Sequence, residues 1–108
     1  MYTAIRHYRI GSGTVEEMTK VVEQEFADRI PELVQAVAYT AIDTGEGTAV
    51  TITVFPDEEL FRKAARVVAD LQRDLGERFG VVEESLLHGE VMINRASETV
   101  AETVHYAP

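Results

Sequence analysis

Cysteine and tryptophan are both absent from the 108-residue chain. Without cysteine there are no disulfides, no thiolate nucleophile, and no cysteine-ligated zinc or iron–sulfur centre. Basic residues are scarce, 10 against 19 acidic ones for a net charge of -9. Phosphate neutralisation, the basis of non-specific nucleic-acid binding, is therefore not expected, nor is docking on an anionic membrane. No apolar run approaches the roughly 18 residues needed to span a bilayer. The opening segment carries Arg6 and Arg9 where a secretory leader needs apolar residues, so a cytoplasmic location is expected. Histidine is limited to His7, His88 and His105, with no HExxH spacing, so no metal site is expected.

What remains has the makeup of one globular domain, with 45% hydrophobic and 27% charged residues. Residues 2–10 alternate and are rich in Tyr and Ile, which suits a strand. Gly11-Ser12-Gly13 is a turn, and Thr14-Val15-Glu16-Glu17 has the form of a capping box. Val15, Met18, Val22, Phe26, Ile30 and Leu33 then draw one buried helix stripe that Pro31 should interrupt. Residues 36–43 and 48–55 read as two strands of an antiparallel hairpin around Thr44-Gly45-Glu46-Gly47. Asp57 is a candidate N-cap for a second helix, striped by Phe61, Ala64, Val68, Leu71, Leu75 and Phe79 and ended by Gly76 or Gly80. Residues 85–93 read as a fourth strand, and 94–108 as a polar tail, frayed or packed on a partner.

This strand–helix–strand–strand–helix–strand order predicts a ferredoxin-like α+β fold, the split βαβ pattern: a four-stranded antiparallel sheet with two helices on one face. The other face keeps apolar residues such as Ile5, Ala38, Ile42, Leu86 and Met92. Because contiguous exposed apolar patches are rare on monomers, a homodimer packed sheet against sheet is expected. In that arrangement Thr51 and Thr53 face the partner while Val50 and Ile52 face the helices.

The opening Tyr2-Thr3-Ala4-Ile5-Arg6-His7-Tyr8-Arg9-Ile10, the Gly13 turn, the Tyr39 strand, the strand ending Val54-Phe55-Pro56-Asp57 and the late Gly89-Glu90-Val91 carry a resemblance. Over residues 2 to about 93 the chain resembles the antibiotic biosynthesis monooxygenase-like domains of the dimeric α+β barrel superfamily. The resemblance implies a domain over residues 1–93 and a tail over 94–108. It also implies a possible activity: cofactor-independent monooxygenation of an aromatic or quinol-like molecule, with no flavin, haem or metal. The alternative within the superfamily is a non-catalytic dimeric ligand-binding or stress-linked module. The haem-degrading branch is disfavoured, since its first-strand Asn position falls on Arg6 and no Trp exists; Phe55 stands where the family often has Trp.

Arg6 and Tyr8 share one face of the first strand, placed toward the helices by the family pattern. Arg6 either stabilises a ligand oxyanion, with Tyr8 orienting the ligand, or pairs with an acid such as Glu25. His88 and Glu90 share a strand face, with His7 expected across from them. They form either a proton-handling pair or an ordinary cross-strand contact. Arg6, Tyr8 and His88 are thus the catalytic candidates. Tyr39, Phe55, Phe61 and Arg62 are the candidate lining of a hydrophobic aromatic-ligand pocket, with core packing the plainer role for Tyr39 and Phe55.

Overall fold

The computed structural model describes residues 1–104 apart from 12, 27 and 28, so Ser12 and His105 lie outside the described residues. Four strands, β1 (Tyr2–Arg9), β2 (Ala38–Gly45), β3 (Thr48–Phe55) and β4 (Val82–Glu90), form one sheet in the order β2-β3-β1-β4. Every neighbouring pair is antiparallel. The expected ferredoxin-like α+β fold is present, with each expected helix divided in two.

The first helical segment comprises α1 (Val15–Glu25) and α2 (Ile30–Val34). At its start the Glu17 amide donates to Thr14 Oγ1 at 3.1 Å, as the capping box required. Pro31 falls in the first turn of α2, where a missing amide donor costs nothing, so it begins a helix instead of kinking one. The break rotates the buried stripe: Val34 is 4% exposed, while Leu33, expected inside, is 45% exposed. The second segment comprises α3 (Glu58–Lys63), capped by Asp57 accepting the Leu60 amide at 2.9 Å, and α4 (Ala65–Phe79). Gly80 ends α4 at φ 65° and packs so tightly on Gly11 that a Cβ added at Gly11 would meet the Gly80 carbonyl oxygen at 2.9 Å. Turn and helix end are thereby locked together, with the Gly11 amide donating to Phe79 O at 3.1 Å.

The sheet's two-residue period sorts the side chains. Register places Ala49, Thr51, Thr53 and Phe55 beside Tyr8, Arg6, Ala4 and Tyr2 on the face that the helices cover. There Ala4, Phe55, Ile30, Val34 and Ala64 form the buried core, with Val22, Phe26, Leu60, Phe61 and Leu71 packed around them. Burying Phe55, at 1% exposure, contributes on the order of 3 kcal/mol. The opposite face carries Ile5, His7, Val50, Ile52, Val54 and Ile42. This reverses the parity expected for β3: Thr51 and Thr53 look inward and Val50 and Ile52 outward. The period does not reveal which half of a β-branched strand is buried, and here the threonines can be inside because small neighbours such as Ala4 and Ala49 leave them room.

The fourth strand runs from 82 to 90, not from 85 to 93. A bulge opposite His7 and Tyr8 makes Ser85 the partner of His7 and Glu83 that of Tyr8. In the regular register before the bulge Leu86 lies opposite Arg6 on the helix-side face instead of the open one, and Met92 and Ile93, 88% and 80% exposed, follow the strand. Among the described residues no helix is long and apolar enough to cross a membrane.

Candidate functional site

Alternation along β1 puts Arg6 and Tyr8 together beneath the helices, and His88 on β4, opposite Ala4, joins that face. His7 points the other way and lies opposite Ser85, so the expected grouping of His7 with His88 and Glu90 does not form. Arg6 and His88 are diagonal neighbours across β1 and β4, a relationship that spans roughly 7–8 Å. The three catalytic candidates therefore sit on one face.

Two side-chain clusters occupy this face. In the first, Arg6 is 8% exposed and its Nε lies 2.9 Å from Glu83 Oε1, while the Glu83 side chain is 30% exposed. The expected acid, Glu25, instead bonds Arg78 at 2.9 Å on the surface. The bulge in β4 is what brings Glu83 to the inner face. The 2.9 Å contact is an ion pair without hydrogen-bond alignment, so Arg6 Nε is buried with no hydrogen-bond partner among the described residues. Gln72 of α4 donates from Nε2 to the Tyr8 hydroxyl and to Glu83 Oε1, both at 3.0 Å. Burial pushes the Tyr8 phenol above its ordinary pKa, against the opposing pull of Gln72 and Arg6. Burial also pushes Tyr39 to about 12, helped by the nearby Tyr8.

In the second cluster the Tyr2 hydroxyl and His88 Nδ1 are 2.6 Å apart. The His88 ring stacks on Phe61, with centroids 4.8 Å apart at 27°. Phe61 also meets Phe55 edge-on at 5.8 Å. Tyr2 is 7% exposed, and burial and the negative charge of Glu58 push its phenol above the ordinary pKa.

Of the expected pocket lining, Phe55 is core, Tyr39 and Phe61 pack against it, and Phe61 also stacks on His88. Arg62 lies on the surface in an i,i+4 pair with Glu58 at 2.8 Å. Its charge nevertheless acts on Tyr2 at the edge of the second cluster. Glu83, Gln72, Tyr2 and Glu58 were missed in the sequence. Glu83 became a site residue only through the bulge, and no sequence signal marks one there.

Between the clusters the helix layer is incomplete. Neither α4 nor β4 has a fully buried residue, and Leu86, though on the covered face, is 37% exposed beside an exposed His88. The helix-side face of β4 is therefore largely open, with His88 exposed and Arg6 buried beside it. Concavities lie at two places, the first of them touching Tyr8. One, of about 310 Å³, is lined by His7, Tyr8, Thr44, Thr48, Val50 and Glu84 at the sheet's end. The other, of about 60 Å³, lies between α2 and α3. Arg6 lines neither of them. Among the described residues no three His, Asp or Glu side chains converge in a way that could hold a metal ion.

This is the architecture of a small ferredoxin-like α+β domain, and solved structures share it. The chain resembles HapK from Hahella chejuensis with a TM-score of 0.71 at 15% identity, covering 90% of this chain and 99% of that one. It also resembles protein Atu4242 from Agrobacterium tumefaciens, with a TM-score of 0.58 at 24% identity, covering 91% of this chain and 98% of that one. At these identities the likeness defines the fold alone. No protein-family model matches the sequence, and no curated protein matches it.

Proposed function

We propose that the chain is a cofactor-independent oxygenase of the antibiotic biosynthesis monooxygenase-like type, acting on a planar hydroxyaromatic or quinol-like molecule. The observation that carries this reading is Arg6: a guanidinium 8% exposed, incompletely satisfied by one carboxylate, on the same sheet face as an exposed histidine, His88. A buried cation with an unused donor, Nε, is poised for an anion, and preorganised donors of this kind stabilise a developing oxyanion. In the proposed chemistry the ligand's phenolic oxygen accepts from Arg6 while His88 removes the proton that turns an activated ring carbon into a carbanion. That anion reacts with dioxygen. An activated CH₂ becomes C=O, one oxygen atom enters the product, and the other leaves as water with both carbon-bound hydrogens. The substrate supplies all the electrons, so the reading calls for no flavin, haem or metal.

The proposed assembly is a homodimer in which a second copy covers the open sheet face. Ile5, Val50, Ile52 and Val54 form a continuous apolar patch there, extended by Ile42 at 39% and Leu87 at 60% exposure. A two-fold axis across this face would bury the patch of each copy against that of the other.

A second reading, a dimeric binding module without turnover, is favoured by the way Phe55 and Tyr39 fill the core where an enzyme's pocket was expected. Oxygen uptake with a panel of hydroxyaromatic quinols and anthrone-like methylene compounds separates the two. Uptake coupled to carbonyl formation supports the oxygenase, whereas saturable binding without uptake supports the module and removes the oxygenase reading.

A further inference from the structure

Near its end β4 has one position without a side chain. Gly89 lies opposite Thr3, on the same open sheet face as Leu87 and Ile5. Its φ is not positive, and a Cβ added there would meet nothing within 4 Å. The bulge of β4 lies elsewhere, at Glu83 and Ser85, so Gly89 does not serve it. Among the described residues nothing therefore requires a glycine here, and a glycine inside a strand weakens it. Such a residue often marks the place where another backbone comes close. Just beyond it the chain runs out of partners. The Val91 amide donates to Met1 O at 2.9 Å, and no described hydrogen bond or ion pair ties residues 92–104 to the rest of the chain. No turn or bend interrupts residues 91–97. Met92 and Ile93 are 88% and 80% exposed, whereas the exposed large apolar residues of the strands reach at most 60%.

We propose that the segment from Gly89 to Ile93 packs on its own counterpart in a second copy of the chain, with the two-fold axis passing beside Val91. The segment holds both halves of a contact: a notch at Gly89 and protruding apolar side chains at Met92 and Ile93. A two-fold contact uses the same patch on both copies, so it needs both halves on one surface. The two-residue period also continues the open-face row of Leu87 and Gly89 to Val91, which joins the segment to the apolar patch that the proposed homodimer buries. Charge favours the same place. Two copies of net charge -9 repel overall. The one charged side chain of the segment, Glu90, lies 3.6 Å from the Met1 ammonium, so two such segments can meet without opposing bare charges. This inference rests on the homodimer proposed above and states where in it the axis runs.

The absence of cysteine makes the test specific, because an introduced thiol is the only one in the chain. Val91→Cys sets the two thiols on either side of the axis, within the roughly 4.4–6.8 Å Cα separation that a disulfide needs. The full-length variant is oxidised with a glutathione redox pair at a concentration where the wild type is dimeric. It is expected to become a covalent species of twice the 12.0 kDa chain mass on a non-reducing gel. Ser85→Cys, on the same strand and face but nearer its start, should stay largely uncrosslinked. Gly89→Val is the independent check. A Cβ there meets nothing in its own chain, so the circular dichroism spectrum should not change. Crowding of the contact should raise the dimer dissociation constant about tenfold or more, measured by sedimentation. Val91→Cys that crosslinks no faster than Ser85→Cys overturns the proposal, as does Gly89→Val that dimerises like the wild type. A wild type that is monomeric at all dilutions removes the homodimer and this contact together. A wild-type dimer whose variants fail these tests removes the contact alone.

Discussion

Glu83 Oε1 lies 2.9 Å from Arg6 Nε and also accepts Gln72 Nε2 at 3.0 Å, so one carboxylate oxygen ties β4 to β1 and to α4. Glu83→Ala leaves the Arg6 charge buried and unpaired. Breaking a fully buried pair costs about 3–5 kcal/mol; with Glu83 30% exposed, water softens this to roughly 1–2 kcal/mol. Urea denaturation should show that loss, and adding Arg6→Met should recover part of it. A Glu83→Ala variant as stable as the wild type would mean that Arg6 is satisfied by other means.

Phe55, 1% exposed and in contact with Phe61, is the residue on which the core closes. Phe55→Ala is expected to destabilise by about 3–5 kcal/mol, and a chain of this size will be near its unfolding threshold after that loss. Arg62→Ala, which deletes an exposed i,i+4 pair, should cost under about 1 kcal/mol. Parallel denaturant midpoints check the contrast.

Adjacent residues on β3 should respond in opposite ways. Ile52→Arg charges the open face and is expected to convert a homodimer to a folded monomer of 12.0 kDa by light scattering. Thr53→Arg forces a charge into a site 6% exposed beneath the helices and should unfold the chain instead. A wild-type protein that is monomeric at all dilutions contradicts the assembly.

Alkaline stability follows from Tyr39, whose phenol burial lifts to about 12 from 10.0. Between those values the unfolded chain releases the proton and the folded one keeps it, so stability falls as pH rises through that window. Below pH 10 the contribution is fully present; by pH 12 roughly 3 kcal/mol is gone. Denaturation midpoints across this range should decline, and Tyr39→Phe should flatten part of the decline, with Tyr8 and Tyr2, also raised, supplying the rest.

Local chemistry made much of the fold legible. Thr14, Asp57 and Gly80 act as the caps their residue types suggest, and β3 occupies the expected residues, since β-branched density and flanking turns bound it on both sides. Sheet faces and long-range partners were less legible. Val50 and Thr51 are both β-branched, so the strand's own pattern does not say which lies inside. Glu83 and Glu25 are equally good partners for Arg6 by charge. The choice between them depends on a bulge in β4 that no turn residue announces. His88 was singled out, but Tyr2 was read as strand filling because its partner lies 86 residues away.

The proposed reaction requires an aromatic anion to bind at Arg6, on the helix-side face beside β4. Oxygen-electrode rates for wild type and Arg6→Met, measured side by side with an anthrone-like substrate, test it most directly. The expected result is uptake by the wild type that falls about a hundredfold in Arg6→Met, the scale of losing one oxyanion donor, with an unchanged circular dichroism spectrum. Equal rates for the two proteins, or no uptake by the wild type with any hydroxyaromatic tried, would contradict it.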